Sequence, residues 1–206
     1  VTSLLADAEP TVVIRDPGLP ALPGPWTSLT MDAAGDGTVQ DLPTDASADL
    51  PRLEPDDGAA LLYTSGTTGR PKGALLTHAN LVHNAAALVD LWGFTETDVL
   101  LHVLPLFHTH GLFVASHCVL ASGASMVLLP AFEVDAALQG LPRCTVMMGV
   151  PTHYSRLLSD PRFDADLVRD VRLFISGSAP MPVQLHDAFT LRTGQTVLER
   201  YGMTET

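Results

Sequence analysis

The sequence predicts an α/β domain, a largely parallel β-sheet layered with helices, and three observations point there. From Ala59 onward, short apolar runs of strand length alternate with longer helical patterns. That alternation implies right-handed crossovers and parallel neighbouring strands. The segments richest in glycine, hydroxyl and histidine side chains fall where the apolar runs end, which is where open parallel sheets collect ligands.

The first 58 residues stand apart. They carry eleven acidic and two basic side chains, with turns at Pro17-Gly18, Pro23-Gly24-Pro25 and Gly35-Asp36-Gly37. Val12-Val13-Ile14 reads as one strand, and Trp26 as an anchor for its loop. The rest of residues 1–58 reads as an irregular connecting segment of a larger domain, without a catalytic signal. Residues 59–206 form the expected core. Ala60–Thr64 is a strand and Ala79–Leu91 a helix; Val99–Val103 and Leu112–Leu120 repeat the pair, as do Ser125–Leu129 and Val134–Leu141. Thr145–Met148 leads into Thr152–Leu158, Val171–Ile175 into Val183–Thr193, and Thr196–Arg200 closes the series as a strand.

With 206 residues, 46% of them hydrophobic, the chain can bury a sizeable core. A formal net charge of −12 argues against nucleic acid and anionic membranes as partners. No Asp, Glu, Lys or Arg occurs from Val99 to Phe132, a length sufficient to span a bilayer. Four histidines, Pro105, Gly111 and Gly123 interrupt that stretch, which suits several buried elements of an α/β core instead. Cys118 and Cys144 lie in apolar surroundings without CxxC spacing and read as buried thiols of a reducing cytoplasm. Val1 opens without a signal-like run, and Thr206 follows directly on a dense motif; a segment of a longer polypeptide is expected.

The densest donor cluster is Tyr63-Thr64-Ser65-Gly66-Thr67-Thr68-Gly69-Arg70-Pro71-Lys72-Gly73. Gly66 and Gly69 let backbone N–H groups turn toward an anion, Ser65, Thr67 and Thr68 add hydroxyls, and Lys72 adds a compact charge. Together they suit the β- and γ-phosphates of a nucleotide. Pro71 stands where a Walker loop needs glycine, so the segment is not of that kind. Thr64 to Lys72 instead resembles the nucleotide-binding signature of the adenylate-forming superfamily, which includes acyl-CoA synthetases, luciferases and adenylation domains. Three further segments match in order, over about residues 59–206.

The resemblance implies site roles residue by residue. Thr64, Ser65, Gly66, Thr67, Thr68, Gly69 and Lys72 would bind ATP, together with Gly177, Ser178, Ala179, Pro180, Glu199, Tyr201, Gly202 and Thr204. In Leu104-Pro105-Leu106-Phe107-His108-Thr109-His110-Gly111-Leu112, His108 would gate the acyl site. His110, two residues on, would project to the same side if the segment is extended, as a substrate contact or as a core histidine. Ser176 and Met203 would also meet substrate, and Gly149-Val150-Pro151-Thr152 resembles another part of the acyl pocket. Tyr201 would stack on adenine, Thr204 contact the α-phosphate, and Glu205 hold Mg2+. Lys72, His108, Thr204 and Glu205 form the expected catalytic set.

Arg200 departs from relatives that take neutral acyl chains. A guanidinium facing the acyl pocket needs an anion, and a second carboxylate on the substrate supplies one; an ordinary ion pair elsewhere is the alternative. Glu-Arg-Tyr-Gly-Met-Thr-Glu-Thr and Phe-His-Thr-His-Gly together resemble malonyl-CoA synthetases. The implied activity joins malonate or methylmalonate to coenzyme A at the expense of ATP, through an acyl-AMP. A module loading a carrier protein and a non-catalytic nucleotide-binding fragment are the alternatives. The resemblance also implies a C-terminal domain beyond this sequence, bearing a second lysine.

Overall fold

The structure is a computed structural model that describes residues 1–43, 51–65 and 71–205. It divides into two compact units, Val1–Leu76 and Thr77–Thr206.

In the first unit, helix α1 (Thr2–Ala8) precedes strands β1 (Val12–Arg15) and β2 (Thr27–Thr30), which pair in parallel. Strands β3 (Gly58–Ser65) and β4 (Pro71–Thr77) pair with each other. The expected irregular connector is therefore partly regular. α1 has no buried residue and β2 only Leu29, so neither announces itself by an apolar pattern. Tyr63 on β3 donates its hydroxyl to Asp7 Oδ2 at 2.6 Å, tying β3 to the end of α1. Trp26 does anchor its loop: its indole N–H donates to the Leu22 carbonyl at 3.2 Å, and a Cβ on Gly24 would fall 2.1 Å from its ring.

The second unit opens with α2 (His78–Trp92). Thr77 caps it by exchanging bonds with Asn80, the hydroxyl accepting from Asn80 N–H at 3.2 Å and the Asn80 side chain accepting from Thr77 N–H at 3.0 Å. Gly93 ends it at φ 59°, a left-handed conformation that glycine adopts without strain. Then follow β5 (Val99–His102), a π-helical turn (His110–Ala115) running into α3 (Ser116–Ser122), and β6 (Ser125–Leu128). The remainder is α4 (Val134–Gly140), β7 (Val146–Gly149), α5 (Pro151–Leu158), β8 (Leu173–Ser176), α6 (Val183–Thr193) and β9 (Val197–Glu199). The uncharged stretch 99–132 is thus split among several elements, and among the described residues no helix is long and apolar enough to cross a membrane.

The five strands form one parallel sheet in the order β6-β5-β7-β8-β9. Strand alternation sends successive side chains to opposite faces, and both faces are covered. Leu100, Val146, Met148 and Ile175 pack with Trp92, Ala115, Cys118 and Val119 of α2, the π-turn and α3. Leu101, Met147, Phe174 and Val197 pack with Leu138, Tyr154, Leu157 and Phe189 of α4, α5 and α6. Burial on both sides explains why these strands read as continuous apolar runs.

At the amino ends of the strands sits a clasp. Asp98, 3% exposed, precedes β5 and receives Arg172 Nε at 2.9 Å and Nη2 at 2.7 Å from the start of β8. Thr145 Oγ1 donates to the same carboxylate at 2.6 Å and Thr95 N–H at 2.9 Å. Arg172 also donates to the Trp92 and Gly93 carbonyls at the end of α2. The guanidinium and these donors hold the Asp98 carboxyl far below the usual carboxylate range.

Chain order reverses beside β5: the chain steps outward to β6, then returns to β7 on the other side. A reversal of this kind opens a crevice at the carboxyl ends of the two strands.

Candidate active site

The segment after β5 enters the crevice as a turn. Leu104 is buried and Pro105 exposed, and the Pro105 carbonyl lies 2.3 Å from where a Cβ on Gly111 would stand. Only glycine permits that approach. The π-helical turn begins here, and its widened loop leaves the Gly111 carbonyl open to extra donors: His102 Nε2–H at 2.9 Å and Ser116 Oγ–H at 3.0 Å. The expected extended geometry of the two histidines is not found. Thr109 is already helical, at φ −53° and ψ −38°, so His108 is exposed while His110 turns inward to 4% exposure. Both still line one cavity.

That cavity, about 440 Å³, lies over the ends of β5, β7, β8 and β9. His108, His110, His153, Ser178 and Arg200 belong to its polar lining, with the hydroxyl residues Thr109 and Thr204; Val150, Gly202 and Met203 contribute to the rest. Among the described residues no Asp or Glu lines it. The end of β8 leads into Ser178 of this lining. Ser176 and Gly177 are buried there, and Gly177 N–H donates to the Gly149 carbonyl at 3.1 Å. A Cβ on Gly177 would stand 3.0 Å from both His110 Cε1 and Arg200 Cγ, so the missing side chain lets ring and arginine stem close over the strand end. Ser178 follows at φ 65°, a left-handed conformation rare for serine, and its hydroxyl pairs with His110 Nδ1 at 3.1 Å.

Electrostatics follow from this packing. Burial, then the charge of Arg200, pushes His110 down to about 4, so the ring is neutral at pH 7. Its Nε2 is buried without a hydrogen-bond partner among the described residues, as is Ser176 Oγ. Burial also lowers Arg200, and among the described residues no carboxylate forms an ion pair with its guanidinium. Arg200 backbone N–H extends the sheet ladder to the Ser176 carbonyl at 2.9 Å. Glu199 points elsewhere: it accepts from Met181 N–H at 2.9 Å and lies 3.4 Å from His186. The two neighbours therefore serve different faces, as strand alternation requires.

Of the expected site residues, the second unit gathers His108, His110, Ser178, Arg200, Gly202, Met203 and Thr204 around the cavity, with Ser176 and Gly177 packed at the β8 end. Ala179 and Pro180 are exposed on the loop before α6, Tyr201 is 88% exposed, and Glu205 is exposed. In the first unit, Thr64 and Ser65 end β3, and Lys72 is exposed on β4 with no ion-paired carboxylate among the described residues. Gly66, Thr67, Thr68 and Gly69 lie outside the described residues. His153 is the lining residue that sequence reasoning missed: it sits one position past Gly149-Val150-Pro151-Thr152 and reads there as an ordinary helix residue.

Comparison with known proteins gives a consistent picture. A mitochondrial malonate–CoA ligase of Mus musculus is 47% identical over 166 residues, covering 73% of this chain and 28% of that protein. A sulfoacetate–CoA ligase of Cupriavidus necator is 43% identical over 164 residues, covering 79% of this chain and 32% of that protein. The ATP-bound crystal structure of MatB from Rhodopseudomonas palustris superimposes with a TM-score of 0.90 at 46% identity, covering 100% of this chain and 42% of that one. The chain thus spans less than half the length of these relatives. The model of the family described as "AMP-binding enzyme" matches residues 1–206, and the chain belongs to that family.

Proposed function

We infer that this chain is the nucleotide- and acyl-binding part of an ATP-dependent acid–thiol ligase whose substrate is a compact dicarboxylic acid, malonate or methylmalonate. The observation that carries the reading is Arg200: a half-buried guanidinium facing a cavity with no acidic lining and no carboxylate partner among the described residues. A second carboxylate on the substrate supplies the missing anion, and a bidentate pair of this kind is strong and directional. His110 fits the same ligand. With Ser178 donating its hydroxyl to Nδ1, the neutral ring carries its proton on the buried Nε2, so an incoming anion meets a polar, uncharged ring beside Arg200. The relatives named for malonate and for sulfoacetate both act on small acids bearing a second anionic group.

In the reaction, a carboxylate oxygen of the acid attacks the α-phosphorus of ATP, forming the acyl-phosphate bond while the bond to pyrophosphate breaks. The thiol of coenzyme A then displaces AMP and gives up its proton. Thr64 to Lys72 supplies the grip on the triphosphate, and Thr204 contacts the α-phosphate. His108, exposed at the mouth of the cavity, gates the acyl site. Tyr201 offers an exposed ring to adenine. Glu205 is the residue that would hold Mg2+, a hard ion suited to one carboxylate plus phosphate oxygens; when bound, the ion would screen the phosphate charge. A C-terminal domain of the same polypeptide completes the enzyme. The buried free thiols Cys118 and Cys144 suit a reducing compartment such as the cytoplasm.

The test is Arg200→Met in the full-length enzyme, with kcat/KM measured for malonate and for acetate. Loss of a bidentate carboxylate contact of about 1.5–3 kcal/mol lowers malonate turnover roughly 10- to 150-fold. Acetate turnover stays the same or rises. Undiminished malonate activity relative to acetate would refute the reading.

A further inference from the structure

Two cavities abut at the carboxyl end of the sheet. The second, about 410 Å³, lies over the ends of β5 and β6 and has an apolar lining that includes Leu106, Leu128, Leu129, Pro130 and Phe132. Leu104, Pro105 and His153 line both cavities. Leu104 is a core residue at 5% exposure, and Pro105 carries the turn that closes on Gly111; trimming either disturbs the fold. His153 is different. It rides on the first turn of α5, and its ring lies flat on Phe132, with centroids 4.2 Å apart and planes 7° apart. The Arg156 guanidinium stands 4.9 Å from the centre of the same Phe132 ring, which holds the stack in place. Burial, then Arg156, pushes His153 down to about 4, so an uncharged ring faces the apolar groove.

We propose that the His153 ring is the partition between the two cavities and sets substrate size. With the ring in place the site takes compact dicarboxylates. Shortening it joins the cavities and admits malonates bearing an apolar 2-substituent. The free carboxylate stays at Arg200 while the substituent passes the vacated ring position and lies against Leu128, Leu129 and Phe132. The inference rests on the dicarboxylate reading of Arg200 and adds what lies behind it. Each methylene buried in the groove is worth roughly a fourfold preference, so two or three shift the selectivity ratio by about 15- to 60-fold.

The experiment measures coenzyme A-dependent pyrophosphate release by the full-length enzyme with malonate, methylmalonate and propylmalonate. Wild type is compared with His153→Ala and His153→Phe. The kcat/KM ratio of propylmalonate to malonate rises about 15- to 60-fold in His153→Ala and stays at the wild-type value in His153→Phe, whose ring preserves the stack. A change under threefold in a normally melting alanine variant overturns the proposal, and so does a phenylalanine variant as permissive as alanine. If His153→Ala does not fold, His153→Val and His153→Leu give a graded series; a ratio that ignores side-chain size overturns it equally. A wild type that ignores malonate but activates acetate would fault the Arg200 reading alone. The partition is then read from the ratio of pentanoate to acetate, with the same thresholds.

Discussion

Replacing Asp98 by Asn tests the clasp at the amino ends of the strands. The carboxylate accepts two bonds from Arg172, one from Thr145 and one from Thr95 N–H, all at 2.9 Å or less. Asn keeps the shape but brings an NH2 group against the arginine donors and removes the charge. Removing one partner of a fully buried pair costs about 3–5 kcal/mol, and a surface pair about 0–1. Asp98 is 3% exposed but the Arg172 side chain is 40% exposed, so solvent compensates part of the orphaned guanidinium. The expected loss is about 2–3 kcal/mol at pH 7. Urea unfolding followed through Trp92 gives a direct reading, because Arg172 holds the Trp92 carbonyl; a Trp26→Phe background removes the other indole. The sign with pH is fixed. A carboxyl lowered on folding contributes stability above its unfolded pKa of about 3.9, and that contribution fades as pH falls toward the folded value. Wild type and Asp98→Asn therefore converge between roughly pH 5 and pH 2. A loss below about 0.5 kcal/mol at pH 7, or one unchanged down to pH 3, would refute the reasoning.

Other perturbations address the site and the core. Gly177→Ala places a methyl group 3.0 Å from His110 and Arg200; KM for malonate rises by roughly tenfold while Tm moves by only a few degrees. Tyr154→Phe deletes a fully buried hydroxyl that donates to the Ile175 carbonyl at 2.5 Å, and urea unfolding shows a loss of about 1–2 kcal/mol. Burial raises Cys118 to about 12 and Cys144 to about 11, so an aromatic disulfide reagent at pH 8 labels neither thiol until denaturant is added; rapid labelling of the folded chain would contradict the packing.

Much of this architecture was legible because burial on both faces of a parallel sheet leaves a plain trace. Leu100-Leu101, Val146-Met147-Met148 and Phe174-Ile175 are apolar in succession, since each neighbour faces a different helical layer. The turn after β5 was not legible. Its form depends on the Pro105 carbonyl closing on Gly111 and on His102 reaching across from the sheet, contacts between residues six and nine positions apart. The first unit hid its helix and second strand for a related reason: α1 buries nothing, so no periodicity marks it. At the site, Arg200 stood out in the sequence from its place before Tyr201-Gly202, whereas the lack of an acidic partner among the described residues is visible only in the folded chain. His153 left no trace because lining two cavities is a property of packing and not of residue type.

The clasp and the cavity sit at opposite ends of strands four residues long, which at about 3.3 Å per residue separates them by roughly 13 Å. Mutational effects usually become additive beyond about 7–10 Å. Libraries that reshape the ligand end can thus be built without eroding the anchor at the other, and any stabilising change near Asp98 carries over intact to each new variant.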